Sequence, residues 1–370
     1  MNALEQQLHY PFGEALPAPG TTLEVAPGVR WLRMRLPFSL DHINLWLLRD
    51  RVDGVEGWSI VDCGITDDAT RKAWEQIFER ELGGLPVLRV IVTHMHPDHM
   101  GLAHWLTERW GVRLWISATD FHVARLASGS TTGFGGANSA RFMASHGLTD
   151  PEAQAKVKAR TNYYSSMVPE VPASFRRLMD GNVLAIGGHE WRCHAGYGHA
   201  PEHMSLHCEA LGLLISGDMV LPRISTNVMV IELEPEANPL VQFLDSIKRM
   251  KALPQGTLVL PSHGRPFGGA VAAGAPATAA GTGGPGGLHT RIDQLVTHHD
   301  ERFAEVLQAC AKAPQSAADL LPVLFRRPLD LHQTTFAMGE SLAHLHALWF
   351  EGKLVRRPRG DDGVFRFAPA

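Results

Sequence analysis

Residues 93–99 read Thr-His-Met-His-Pro-Asp-His. His94, His96, Asp98 and His99 crowd three imidazoles and a carboxylate together, directly after the apolar run Val87-Leu88-Arg89-Val90-Ile91-Val92. Imidazole offers a nitrogen lone pair and carboxylate a hard oxygen, a mixed donor set that suits Zn²⁺ and, less selectively, Fe or Mn. Core packing accounts for none of these four polar groups, and burying them without partners is costly. On an extended segment His94 and His96 face the same side. Pro97 then bends the chain ahead of Asp98 and His99. One short string can therefore serve two adjacent divalent ions, each with an incomplete ligand set.

Three later segments offer what is missing. Gly198-His199-Ala200-Pro201-Glu202-His203, Ile215-Ser216-Gly217-Asp218 and Leu260-Pro261-Ser262-His263-Gly264 each close an expected strand beside a glycine, which lets backbone approach a site closely. They supply His199, Asp218 and His263. His203 and Asp62 suit a place behind the ligands, holding them by hydrogen bonds.

The elements that must position these residues follow from patterning. Short strands are expected at 22–25, 29–36 and 43–48, and a buried strand at 57–61 runs into Asp62-Cys63-Gly64. Asp67 and Asp68 open a helix in which Trp74, Ile77, Phe78 and Leu82 recur at helical spacing. After the histidine string come a helix over 100–110, a strand over 113–117 and a helix over 118–127, a rhythm of helices packed on sheet. Residues 128–180 break that rhythm and read as an inserted cap carrying Phe134, Tyr163 and Tyr164. Strands return at 182–186, 190–195, 204–208 and 211–216, then a helix over 239–252 and a strand over 257–260.

Residues 267–287 are almost wholly Gly, Ala, Pro and Thr and read as a loop or linker between a catalytic domain, 1–266, and a smaller domain, 288–370. The smaller domain is expected to hold helices over 288–311, 316–321 and 340–351. A strand, an Asp-Gly turn and a second strand then give the outline of a winged helix.

Composition narrows the function. A net charge of −4 advertises no global attraction to nucleic acid or an anionic surface. The four cysteines are widely spaced, with no CxxC pair, and read as reduced thiols. No signal-peptide pattern and no long apolar span stand out, so a cytoplasmic protein with no membrane contact is expected.

Taken together, HxHxDH, GHxPxH, SGD and PSHG resemble, in order and spacing, the metallo-β-lactamase superfamily over about residues 20–265. The resemblance implies an α/β fold, an αββα sandwich with the site at one edge. It implies His94, His96 and His199 on one ion, Asp98, His99 and His263 on a second, and Asp218 bridging both, with Asp98 and Asp218 as the catalytic carboxylates. The tail is similar to the winged helix of a subgroup of lactamase-like hydrolases. Glu202 departs from the Gly of many relatives. Asp218 stands where antibiotic-degrading members of one type carry Cys, which turns the expectation toward hydroxyacylglutathione-hydrolase-like chemistry.

The expected reaction is hydrolysis of an ester, thioester or lactone, of glutathione or coenzyme A type, by a water activated between two divalent ions. The alternative is a metal-dependent endoribonuclease that uses Lys353, Arg356, Arg357, Arg359 and Arg366 near the wing. That reading lacks the concentrated basic stripe that phosphate-driven affinity requires. A non-catalytic binding module would be expected to lack ligands, and all seven are present. A homodimer contact through the C-terminal domain fits either enzymatic reading.

Overall fold

The computed structural model describes residues 4–129, 135–269 and 286–370. Among these residues thirteen strands form two sheets. The first sheet contains β1 (Leu23–Ala26), β2 (Val29–Arg35), β3 (His42–Val52), β4 (Val55–Val61), β5 (Val87–Ile91), β6 (Leu114–Ser117) and β7 (Phe175–Leu178), in that order. It is antiparallel from β1 to β4 and parallel from β4 to β7. The second contains β8 (Val183–Ile186), β9 (His189–Gly196), β10 (His203–Cys208), β11 (Leu213–Gly217), β12 (Leu258–Pro261) and β13 (Phe267–Gly268). Only its β11–β12 pair is parallel.

Side-chain alternation builds the layers. Trp31, Trp46, Val61 and Ile91 of the first sheet meet Trp191, Cys193, Leu206, Ile215 and Leu260 of the second in a buried core between the sheets. Leu32, Leu45, Ile60 and Val90 point the other way. They pack against α1 (Asp68–Arg80), through Trp74 and Ile77, and against helices that follow the histidine string. Those are α2 (Pro97–Met100), α3 (Ala103–Trp110) and α4 (Ala118–Gly129). Three short helices, α5 (Gly136–Ser145), α6 (Pro151–Ala159) and α7 (Tyr163–Met167), then lead back to β7.

The outer face of the second sheet, Leu214 and Val259, packs against α8 (Pro239–Arg249), α9 (Leu288–Lys312) and α11 (Leu331–Phe350), with α10 (Leu321–Leu324) between the last two. The result is an αββα sandwich whose second helical layer is drawn largely from the C-terminal third. A two-stranded antiparallel hairpin, β14 (Leu354–Arg356) and β15 (Phe367–Pro369), ends the chain.

Several expected boundaries change. The cap expected over 128–180 ends earlier, because residues 175–178 extend the first sheet as its edge strand; Trp115, Ile116 and Leu114 of β6 leave open parallel pairing positions that they fill. The helix expected over 100–110 is two helices, split at Gly101. A Cβ there would lie 2.6 Å from the Gly64 carbonyl oxygen, so only glycine allows this approach. The helix expected over 316–321 is a turn followed by α10, and α11 begins nine residues earlier than 340, capped by the Asp330 side chain on the Gln333 N–H. At the edges of the expected linker, Phe267 and Gly268 pair with β12, and Gly286 bridges to Leu8. Residues 270–285 lie outside the described residues, as does Phe134. All four cysteines are buried and unpaired.

Candidate metal centre

The candidate ligand side chains converge at one edge of the sandwich, where β5, β9, β11 and β12 end. Asp62, which follows β4, adopts the left-handed backbone (φ 63°). Its carboxylate accepts from the Thr93 N–H at 2.8 Å and lies 2.9 Å from His99 Nδ1. The turn after β5 is thereby tied to the end of β4. Gly217 is also left-handed (φ 53°), and a Cβ there would strike the His203 ring at 2.2 Å. This contact lets the Asp218 N–H donate to His203 Nε2 at 3.2 Å and aims the Asp218 carboxylate at the centre.

Two clusters result. His94, His96, His199 and Asp218 each present a donor atom, all within 4.8 Å of one another, and so do Asp98, His99 and His263. His94 Nε2, His96 Nδ1 and His199 Nε2 lie 2.9–3.1 Å apart. Asp218 reaches both clusters. Its Oδ2 is 3.2 Å from His199 Nε2, and its Oδ1 is 3.4 Å from His263 Nε2 and 3.6 Å from His99 Nε2. Asp98 Oδ2 lies 3.3 Å from His263 Nε2.

The rings are fixed from behind. The Asn227 carbonyl accepts from His199 Nδ1–H at 2.7 Å and the His42 carbonyl from His263 Nδ1–H at 2.7 Å, leaving each Nε2 lone pair facing inward. The Asn227 loop also meets the C-terminal helix. Val230 N–H donates to the Gly339 carbonyl at 3.1 Å, and a Cβ on Gly339 would lie 2.7 Å from the Met229 side chain.

Electrostatics separate the rings into two kinds. Burial, helped by neighbouring rings, holds His94 well below the usual histidine range and His96 down to about 3, so both offer neutral lone pairs. Burial opposes charge on His99 and His263 as well, but Asp62, Asp98 and Asp218 outweigh it, raising His99 strongly and His263 to about 10. The same cations hold Asp218 far below the ordinary carboxylate range against its own burial. The pocket is thus built to concentrate positive charge between carboxylates. His99 Nε2 and Asp218 Oδ1 are buried without a hydrogen-bond partner. Three nitrogens facing one point cannot satisfy one another with protons. These orphaned donors and the mixed nitrogen and oxygen set fit divalent cations.

Other expected site residues divide. Tyr163 lines the cavity over the clusters. Tyr164 turns inward instead and donates from its hydroxyl to the Met95 carbonyl at 2.5 Å, because adjacent positions on a helical turn face different ways. Glu202 does not point into the mouth; its carboxylate accepts from the Thr119 hydroxyl at 3.0 Å. One residue escaped the sequence reading. Asp120, buried in the first turn of α4, accepts from the Met95 N–H at 2.9 Å and the Glu202 N–H at 2.7 Å, joining the histidine string to the His199 turn. Burial pushes its carboxyl up to about 6. The Ser117 hydroxyl, three residues earlier, also donates to Asp120 at 3.0 Å.

A cavity of about 690 Å³ opens over the clusters. Its walls come from the 36–40 loop, from α4 and α7, and from residues 325–340 of the C-terminal region.

Comparison with known proteins identifies the family and the fold. Residues 39–263 match the metallo-beta-lactamase superfamily model, and residues 303–370 match the metallo-beta-lactamase-like C-terminal domain. A solved beta-lactamase domain protein from Burkholderia ambifaria is 56% identical, with both chains covered in full and a TM-score of 0.89. A metallo-beta-lactamase family protein from Thermus thermophilus is 28% identical, covering 94% of this chain and all of its own, with a TM-score of 0.73. The "Probable metallo-hydrolase YqjP" of Bacillus subtilis is 22% identical over 90% of this chain and 96% of its own. The "Acyl-coenzyme A thioesterase MBLAC2" of Gallus gallus is 25% identical over 72% of this chain and 84% of its own. The chain belongs to the metallo-β-lactamase superfamily and is a metallo-hydrolase of that fold.

Proposed function

We propose that the protein hydrolyses a small acyl ester or thioester, a coenzyme A or glutathione type thioester in first place, with two divalent ions, zinc by preference. The observation that carries this reading is the shape of the cavity. It joins His96, Asp98, His199, Asp218 and His263 to a wall dominated by apolar side chains, among them Phe38, Leu40, Val123 and Phe336. The chicken relative named as an acyl-coenzyme A thioesterase supports the same substrate class.

His94, His96 and His199 would hold one ion, Asp98, His99 and His263 the other, and Asp218 both. When bound, such ions polarise a scissile carbonyl and lower the pKa of water toward about 7. The remaining work falls to the chain. Asp62, His42 and the Asn227 carbonyl keep His99, His263 and His199 turned with the correct nitrogen inward. His203 accepts from the Asp218 N–H and so fixes where that carboxylate points. The apolar wall excludes water from the acyl part and positions the carbonyl over the clusters. Tyr163, on the same wall, is a candidate contact to the bound acyl group.

Cleavage of RNA finds less support in the basic side chains of the tail. Arg356 pairs with Glu236 at 2.6 Å, Arg366 with Asp362 at 2.6 Å and Lys353 with Glu351 at 2.7 Å, while Arg359 lies over the Phe365 ring. The test is turnover of a panel of acyl thioesters and esters beside single-stranded RNA, with metal content measured on the same samples. Thioester turnover that is abolished by His96→Ala and by Asp98→Ala is expected. Cleavage of RNA alone, or full activity with well under one metal per chain, would overturn the reading.

A further inference from the structure

Part of the cavity wall opposite the histidines is apolar. Met229, Ile231 and Leu233 contribute from the segment after β11, and Phe325, Leu329 and Phe336 from the C-terminal region. Charged and polar side chains interrupt it, among them Arg327, which donates to the Gln333 side chain, and Asp330, which accepts from the Gln333 N–H. Glu340 also lines the cavity, one helical turn beyond Phe336 on α11. Its carboxyl group makes no hydrogen bond or ion pair among the described residues. Arg302 of α9 is the cation that acts on it, yet that guanidinium donates to the Leu324 carbonyl and to Glu305 at 3.0 Å. Burial outweighs Arg302 and pushes the Glu340 carboxyl up to about 7, so near neutral pH much of it carries its proton.

Packing does not call for a carboxyl here. Leucine or methionine would continue the apolar wall, whereas the half-buried Glu340 carboxyl finds no protein partner there. The position lies in the middle of a twenty-residue helix, so neither a cap nor the helix dipole explains it. Glu340 lines the same cavity as His96, His199 and His263, which makes a group on a bound ligand a natural partner. A protonated carboxyl in apolar surroundings can donate one hydrogen bond and accept another. An ammonium ion would require the buried acid to ionise and two charges to be desolvated, a cost that a neutral partner avoids.

We propose that Glu340 is a specificity-determining residue that binds a hydroxyl group carried on the acyl chain of the substrate. This rests on the acyl ester or thioester reading above and adds to it which acyl chains are preferred. The hydroxyl donates to one carboxyl oxygen and accepts from the other when that oxygen is protonated. The carbonyl undergoing hydrolysis lies at the His and Asp clusters, while the hydroxyl sits against α11.

The test uses the full-length, metal-loaded protein and a series of acyl thioesters of one chain length. Members are unsubstituted, hydroxylated at successive positions, or carry an amine at those positions. One hydroxylated member is expected to exceed the unsubstituted one in kcat/KM by roughly tenfold, the worth of one net hydrogen bond. Glu340→Leu should abolish that preference while sustaining turnover of the unsubstituted thioester. Glu340→Gln, which retains a donor and an acceptor, should preserve part of it. If no hydroxylated member is preferred, if the preference survives in Glu340→Leu, or if the amine series is favoured instead, the assignment fails while thioester hydrolysis stands. If wild-type protein turns over no ester or thioester at all, the underlying reading fails and the assignment falls with it.

Discussion

Asp62 shows how one side chain can hold a centre it does not enter. Its carboxylate binds the Thr93 N–H and faces His99 Nδ1, and its own backbone is left-handed. Asp62→Asn keeps an acceptor for Thr93 but removes the negative charge behind His99. Loss of such a partner costs about 10–100-fold in metal affinity. Competition with a chromogenic chelator should show that loss with little change in the melting temperature of the metal-free protein; unchanged affinity would remove Asp62 from this role. At this scale most of the candidate site was legible. The histidine string, His199, Asp218 and His263 all sit where a strand stops beside a glycine or a bend, and no packing argument claims them. Asp120 was not legible, because a lone acidic residue in the first turn of a helix looks like an ordinary terminal charge. Its significance lies in two backbone N–H groups, on Met95 and Glu202, that only the folded chain brings to it.

The long helices carry a different chemistry. His299 on α9 and His344 on α11 are buried with Nδ1 and Nε2 3.2 Å apart, and Phe243 and Phe303 pack on the pair. His298 and Arg302 on α9 add positive charge nearby, and burial is the main cause that lowers His299 to about 2 and His344 to about 4. Their folded values lie below the ordinary histidine value, so the fold binds fewer protons than the unfolded chain. The stability they allow is present above about pH 6.5 and is lost as pH falls below it. At pH 5 the loss is about 2 kcal/mol per ring. His299→Gln should be less stable than wild type at pH 7, and urea unfolding should show the gap narrowing by about that amount at pH 5. A gap constant with pH would mean the rings do not titrate on unfolding.

The sheets were readable at this scale because strand alternation and strand-end glycines survive in sequence. The edge strand Phe175–Leu178 was not. It alternates poorly, with exposed Arg176 and Arg177, and is held by pairing to β6. The early start of α11 was hidden too, since its first turns face the cavity and carry polar residues such as His332 and Gln333 that break the apolar stripe.

Across the whole molecule, the C-terminal third is a layer of the sandwich. One continuous buried cluster runs from Leu214 and Val259 through Phe243 and Ile247 to Leu295, Leu342 and Leu348. A chain ending at residue 266 keeps every residue of the two donor clusters but exposes that face and opens the cavity wall. Such a truncation should aggregate or melt without a cooperative transition, as size-exclusion chromatography and calorimetry would show. A soluble fragment with a sharp transition would mean the catalytic layers are self-sufficient.

The segment between Asn227 and Val230 touches both halves of the molecule. At one end it accepts a hydrogen bond from His199; at the other it is held by the Gly339 carbonyl, with Met229 wedged against the helix between them. Any coupling through such a connection is reciprocal. If docking of α11 helps set His199, then occupying the metal centre must tighten α11 in return. Limited proteolysis reads this directly: adding Zn²⁺ to the apo-protein should slow cleavage within residues 325–340, and Met229→Ala should weaken that protection while leaving the metal ligands in place. The tail would then report, by its resistance to a protease, on an ion bound at the far end of a four-residue link.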